Sequence, residues 1–340
     1  MTLLNRSHRG RLHGIDYSII DFASTAADPR RIQQSTAAWL DSAEMENLLA
    51  HFGHTLRTTG LRNRLGEAEQ ISRTIFDFRR GGERWEAEKT EFAPRTTEAV
   101  EALIARIYRD PQDFPATELG IPTHCLVLGG RINSCLLRAE LLAELLRQGL
   151  QVGHIWGLGS RRPMVEMERE VVAELELGPL ADELDAVCAT LRCALVLPDV
   201  AERPSSSPSA VRRLATSPIP VAGLAAERRP ENARATTSDT YRFFLRTAGA
   251  VTAQDHILVI TSAIDAPFQH AQALAELSVP TGAMITSVGA HIGTSRLAAV
   301  RTEWTTAQWL QEIRSTIWSM SIMYGALLAA HPDLEQFENS

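Results

Sequence analysis

Lysine is almost missing from this chain: Lys89 stands alone among 34 basic residues in 340, so nearly every cation is an arginine. Guanidinium groups suit planar, two-pronged contacts to carboxylate or phosphate, although codon bias alone yields the same composition. Positive charge is also in deficit. The formal net charge is −7, from 34 basic and 41 acidic residues, which argues against a general nucleic-acid binder that works by neutralising phosphates. Cysteine is scarce: Cys125, Cys135, Cys188 and Cys193 lack the paired short spacing of a zinc site, and their apolar neighbours mark them as buried free thiols. No metal site is expected. Long apolar runs are absent too. The longest candidate, residues 315–330, contains serines and a glycine and ends at His331, short of the roughly 18 uncharged residues that span a bilayer. No apolar core of signal-peptide length follows the N-terminal arginines and histidines, so a cytoplasmic protein with no membrane partner is expected. Missing as well are a nucleophile elbow, a phosphate loop with its lysine, a zinc-binding histidine pair and a kinase signature.

The most informative feature present is the run from Thr123 to Arg131. It is an apolar strand that ends in Gly129-Gly130-Arg131 before a long helix. Glycines let the backbone come close to a ligand, and the amides that open the next helix attract negative charge. From here the rhythm is strand, glycine, helix. A strand at 124–128 leads to a helix at 133–148 closed by Gly149, and a strand at 152–156 ends in Gly157-Leu158-Gly159-Ser160. An acidic helix carrying Glu166, Glu168 and Glu170 follows Pro163. Two further strands are expected at 256–261 and 283–288, separated by a helix over 269–277. This series predicts an α/β fold: a Rossmann-like open parallel sheet with helices on both faces.

Residues 1–115 read as a helical N-terminal region with few strand signals, with helical spacing at 35–56 and 96–107, a loop at Arg79-Arg80-Gly81-Gly82, and a break at 110–115. A ligand-binding domain is expected over 116–300, interrupted by an insertion at about 176–218. The Ser/Pro/Arg-rich part of that insertion, 201–220, reads as an exposed segment or lid. Residues 301–340 form a C-terminal amphipathic helix with Trp309, Ile313, Ile317, Met320, Tyr324 and Leu327 on one face, suited to core packing or to a homodimer contact.

The order of these signals resembles the YdcF and SanA family of unknown-function domains over about 123–290. The resemblance rests on Gly129-Gly130, Arg138, the Gly-Ser turn after the second strand, the glutamates of the next helix, the segment Thr237-Ser238-Asp239-Thr240, and Thr261-Ser262 before a helix. Asp265 stands where the family's histidine would fall, and Phe268 stands where its arginine would fall, with Gln269 and His270 beside it. The resemblance implies a Rossmann-like sheet that binds a small ligand, a nucleotide-like compound such as S-adenosylmethionine among the candidates.

In open parallel sheets ligands sit beyond the carboxyl ends of the strands, and the candidate residues fall at such ends. Gly129, Gly130, Arg131 and Asn133 form an expected anion cradle, or else a tight turn without a ligand. Gly157, Gly159, Ser160 and Arg161 supply donors at the second strand end, and Thr237, Asp239, Thr261 and Ser262 add polar contacts. Asp265 is a candidate general base, or simply a helix cap; His270, one turn on, is a candidate acid or base, or a structural histidine. Glu166 and Glu168 lie on different helix faces, so at most one points inward, and Glu166 is carried as a third catalytic candidate. Together these residues predict one electropositive cavity in an enzyme, a hydrolase or transferase, acting on or with an anionic nucleotide-like small molecule. The alternative is a non-catalytic binding or sensing module.

Overall fold

Alternation along a single strand divides the protein into two cores. In the segment His124–Leu128 the side chains of Leu126 and Leu128 enter one buried cluster, and those of Cys125 and Val127 enter the other, as the two-residue period of an extended chain requires. A computed structural model of the chain describes residues 10–12, 15–20, 28–78, 90–109, 116–198, 207, 209–232, 234–291 and 304–337. The expected loop at 79–82, the break at 110–115 and most of the Ser/Pro-rich run at 201–208 lie outside the described residues.

The strands are β1 (Gly10–Leu12), β2 (Ile15–Ile20), β3 (Tyr108–Arg109), β4 (His124–Leu128), β5 (His154–Gly159), β6 (Ala210–Ala215), β7 (Val221–Ala225), β8 (His256–Ser262) and β9 (Met284–Ala290). The helices are α1 (Pro29–Leu40), α2 (Ala43–His51), α3 (Leu61–Ile75), α4 (Pro94–Ala105), α5 (Ile132–Arg147), α6 (Glu166–Glu174), α7 (Glu183–Leu195), α8 (Thr237–Thr247), α9 (Ala266–Ala273), α10 (Val279–Thr281), α11 (Thr306–Ala330) and α12 (Leu334–Phe337). Side-chain caps fix several starts: Asp28 on α1, Ser42 on α2, Asp182 on α7, and reciprocal capping boxes at Thr236 and Thr305 on α8 and α11.

The strands join in one sheet of order β1-β2-β9-β8-β4-β5-β7-β6, with β3 paired to β2. The five central strands, β9-β8-β4-β5-β7, are parallel. Taken in chain order they run outward from β4 through β5 and β7, then return to the other side of β4 for β8 and β9. This is the doubly wound arrangement of the Rossmann type, and the direction of winding reverses between β4 and β8. Helices α5 and α7 cover one face, while α8, α9 and α11 belong to the core on the other.

Several expectations need correction. The sheet is mixed rather than wholly parallel, because β2 and β6 pair antiparallel with β9 and β7. The N-terminal region is helical in α1–α4 but also contributes β1, β2 and β3, and β2 joins the main sheet by pairing with the distant β9. The stretch 176–218 is not simply an insertion, since α7 within it buries Leu184, Val187, Cys188 and Leu191 against the sheet and β6 forms an edge. Cys193 is exposed, unlike the other three cysteines. The six residues assigned to one face of the C-terminal helix are all buried. That face is used within the chain, where α11 lies between α9 and α3, which leaves it unavailable as a dimer surface.

Candidate functional site

At the carboxyl ends of β4, β5 and β8, where the winding reverses, a cavity of about 720 Å³ opens, walled by α8, α9 and α11. Its floor is made by close approach of two backbones. Gly129 N donates to Leu158 O at 2.6 Å, and a Cβ on Gly129 would lie 2.5 Å from that same oxygen, so no larger residue fits between β4 and β5. Gly130 is less enclosed: its Cβ would meet Ser134 Cβ at 3.2 Å. The first turn of α5 follows at once, and Gly130, Arg131 and Ser134 line the cavity with it, which presents a helix N-terminus to the ligand space.

Arg138, two turns into α5, ties this corner to β8. Its Nη1 donates to Leu128 O at 2.9 Å and also to Gly129 O, Nε donates to Ser262 Oγ at 3.1 Å, and Nη2 donates to Asp265 Oδ2 at 2.8 Å. The side chain is 2% exposed. One buried guanidinium thus bonds two strand ends and orients the carboxylate of Asp265 on the cavity wall.

A second acid faces the glycine corner. Glu183, the first residue of α7, is buried, lines the cavity and accepts a hydrogen bond from Ser160 Oγ. Burial pushes its carboxyl above the usual range, and the Ser160 hydroxyl and Arg162 only partly offset this. Behind it Arg162 makes a two-pronged pair with Glu168, Nη1 to Oε2 at 2.7 Å and Nη2 to Oε1 at 2.8 Å, and Nη2 also donates to Gly130 O at 3.0 Å. Glu168 further accepts from Ile132 N and Val165 N, both at 3.0 Å. Burial alone would raise the Glu168 carboxyl, but these donors hold it below the ordinary value. The arrangement positions Gly130 and the start of α5 from below.

The candidate residues divide accordingly. Gly129, Gly130, Arg131, Gly159, Ser160, Thr237 and Asp265 line the cavity; Ser262 touches it through Arg138. The other residues do not line it. Gly157 lies under α7, where a Cβ would meet Val187 Cγ1 at 2.3 Å, so it serves helix packing. Arg161 pairs with Asp182 at 2.8 Å and donates to Ser207 O, turned toward the β6 edge. Asn133 sits half-buried on α5 outside the lining. Asp239 caps its own helix through Thr236 and pairs with Arg229 at 2.7 Å. Thr261 donates to Gln269 Oε1 inside the core. His270 is fully buried and shares a 2.9 Å hydrogen bond with Ser287 Oγ on β9, a structural role rather than an acid/base one. Glu166 is exposed at the surface, 3.7 Å from Arg169; Glu168 is the acid that turns inward.

The cavity is not electropositive. Arg131, Arg138, Arg229, Arg234 and Arg242 on its wall are matched by Glu183, Glu231, Asp265, Glu276 and Glu312. Arg242 is paired with Glu276, and Arg138 with Asp265. Sequence reasoning missed Glu183 and the aromatic rim of Trp304 and Trp318. Glu183 carried a signal as an acid beside the helix-capping Asp182, but it lay within a stretch assigned to an insertion.

Comparison with known proteins overturns the resemblance to the YdcF and SanA family. The family described as the Rv3785 N-terminal domain matches residues 23–107. The chain is 27% identical over 329 residues to the uncharacterized protein Rv3785 of Mycobacterium tuberculosis, a match that covers 86% of this chain and 90% of that protein. The uncharacterized protein Mb3814 of Mycobacterium bovis matches to the same extent. No solved structure matches. The shared motif order has a physical origin: a strand ending in glycines before a helix recurs wherever a doubly wound sheet builds its switch point.

Proposed function

We propose that this chain is an enzyme acting on or with an anionic nucleotide-like small molecule, by hydrolysis or group transfer, with S-adenosylmethionine or a nucleotide as candidate ligands. One observation carries the reading: the 720 Å³ cavity lies at the winding reversal between β4 and β8, with Gly129, Gly130 and the start of α5 on its wall. Cavities of this size and place are where α/β sheets hold cofactors and substrates. The balanced lining suits a ligand that has both an anionic end and donor groups. Amides and arginines take the anion, and carboxylates such as Glu183 take hydroxyl or amino hydrogens. Among the acids on the wall, Asp265 and Glu183 are the candidates for proton transfer. Free thiols at Cys125, Cys135, Cys188 and Cys193 suit a reducing, cytoplasmic compartment.

The ion pair that holds Asp265 favours a second reading, a binding or sensing module, because its carboxylate is already engaged by the buried Arg138. A thermal-shift panel of mono-, di- and triphosphate nucleotides and S-adenosylmethionine tests the proposal: a ligand at one hundred times its Kd adds about 2.7 kcal/mol and raises Tm by several degrees. Flat melting temperatures across the panel would rule it out. With a ligand in hand, unchanged turnover in Asp265→Asn and Glu183→Gln would favour the sensing module.

A further inference from the structure

A second cavity of about 350 Å³ lies between α3, α9 and α11, and Phe268, Gln272, Gln311 and Trp318 line both it and the larger one. The two spaces therefore meet across these four side chains. The charges in the smaller cavity are already matched: Arg314 lies 3.2 Å from Asp77, and Arg73 lies 3.9 Å from Glu69 on the same helix. A neutral group fits it better than a second anion. The two glutamines carry complementary hydrogen-bonding ends. Gln311 Oε1 accepts from Phe78 N at 3.0 Å, which leaves Nε2 as the end that donates. Gln272 Nε2 reaches Ser319 Oγ at 3.4 Å, whereas its Oε1 is buried with no partner. A buried acceptor without a donor is costly and invites a ligand that supplies one. Trp318 is 46% exposed, a large aromatic surface left open at the junction.

We propose that this second cavity is a nucleobase subsite. The base stacks against Trp318, a ring N–H or exocyclic amino group donates to Gln272 Oε1, and Gln311 Nε2 donates to a ring acceptor. The inference rests on the nucleotide reading above and deepens it by assigning the two ends of the ligand. The base lies toward α3 and α11, and the anionic end lies toward Gly129 and Gly130. It also gives the N-terminal helices a part in specificity, since α3 supplies one wall and Phe78, just beyond it, orients Gln311.

The test uses adenosine, guanosine, cytidine and uridine, with their 5′-monophosphates, titrated into the full chain by calorimetry. All four nucleosides are expected to bind in their own right, because every base presents an adjacent donor and acceptor to Gln272 Oε1 and Gln311 Nε2. Trp318→Leu is expected to weaken the nucleosides about 10-fold, the scale of a lost base stack. Gln272→Leu is expected to weaken the nucleosides by about 10-fold by removing the acceptor of the base N–H. Trp318 is surface-accessible, so its replacement leaves the fold intact, and melting curves check this. If the monophosphates bind but the nucleosides do not and neither substitution matters, the base subsite is overturned while the nucleotide reading stands. If nucleosides bind as described but a phosphate adds nothing, the subsite stands and the anionic end at Gly129 and Gly130 falls. If no nucleoside or nucleotide binds the unaltered chain, both are overturned.

Discussion

Arg138 Nη2 meets Asp265 Oδ2 at 2.8 Å, joining the helix that follows β4 to the turn that follows β8. The contact crosses the point where the sheet reverses its winding, so it couples the two elements that must separate for the cavity to lose its floor. Its arginine is almost wholly buried and serves Leu128 O, Gly129 O and Ser262 Oγ as well. Removing one partner of such a pair strands the other. Arg138→Met is expected to cost about 3–5 kcal/mol, measured by urea denaturation. Arg138→Lys is expected to recover only part of this, since one ammonium cannot reproduce the fork that spans both strand ends. A cost below ~1 kcal/mol for Arg138→Met would show that the switch point holds together by backbone packing alone.

Glu183 is expected to weaken the fold at neutral pH. Burial raises its folded-state pKa above the unfolded value near 4.5, so the folded form binds the proton more tightly. The penalty is absent below the unfolded pKa and grows as pH rises through the folded one. Glu183→Gln keeps an acceptor for the Ser160 hydroxyl and removes the charge. It should therefore melt higher than the parent at pH 8, with the two curves converging near pH 4. Parallel curves at every pH would mean that Glu183 titrates as an ordinary carboxylate.

Three histidines lie at the amino ends of adjacent strands, far from the cavity. His124 and His154 are register partners on β4 and β5, and His256 opens β8. Burial, with His124 alongside, pushes His154 down to about 4, and burial alone pushes His256 down to about 4. Each starts from 6.5 in the unfolded chain, so between pH 6.5 and about 4 the unfolded state binds more protons, and stability falls as the solution is acidified through that window. Below it Glu168 and Asp239, whose carboxyls are held low by their partners, continue the loss in the same direction. His154→Phe preserves the stacking on Trp156, whose ring lies 3.9 Å away. It is expected to reduce the slope of Tm against pH between 4 and 6.5, and an unchanged slope would assign the acid sensitivity elsewhere.

How much of this was legible in the sequence differs from element to element. The strand at 124–128, its glycine corner and α5 were legible because an apolar run, two glycines and a leucine-rich helical period are all local signals. β7 was not. Its sequence, Val-Ala-Gly-Leu-Ala, is small and broken by Gly223, whose Cβ would meet Cys188 Sγ at 2.4 Å, so its composition reflects α7 pressing on the sheet rather than strand propensity. β2 was hidden because it joins the main sheet only through β9, more than two hundred residues away. His270 was drawn toward the site by closeness in sequence to Asp265, but α9 turns it to the opposite side, against Ser287. Glu183 required the contact between α7 and the β4 corner, which no local pattern encodes.

The two glycines of that corner should respond differently to the same added methyl group. A Cβ at Gly129 would lie 2.5 Å from Leu158 O and 2.6 Å from Glu183 Oε1. The first of these is backbone at the end of β5, which cannot move without breaking the Gly129 N to Leu158 O hydrogen bond. At Gly130 the nearest atoms are Ser134 Cβ at 3.2 Å and Arg138 Nη1 at 3.4 Å, both side-chain atoms at ordinary or slightly tight separations. Neither glycine adopts a positive φ, so the difference is one of space and not of backbone preference. Gly129→Ala is expected to cost about 2–3 kcal/mol and Gly130→Ala less than ~1 kcal/mol. Because Gly130 faces the cavity, its alanine variant should still lower affinity for any anion bound at the start of α5, while the melting temperature stays near that of the parent. Equal destabilisation by the two substitutions would mean that β4 and β5 do not approach as closely at their carboxyl ends as the Gly129 contact requires.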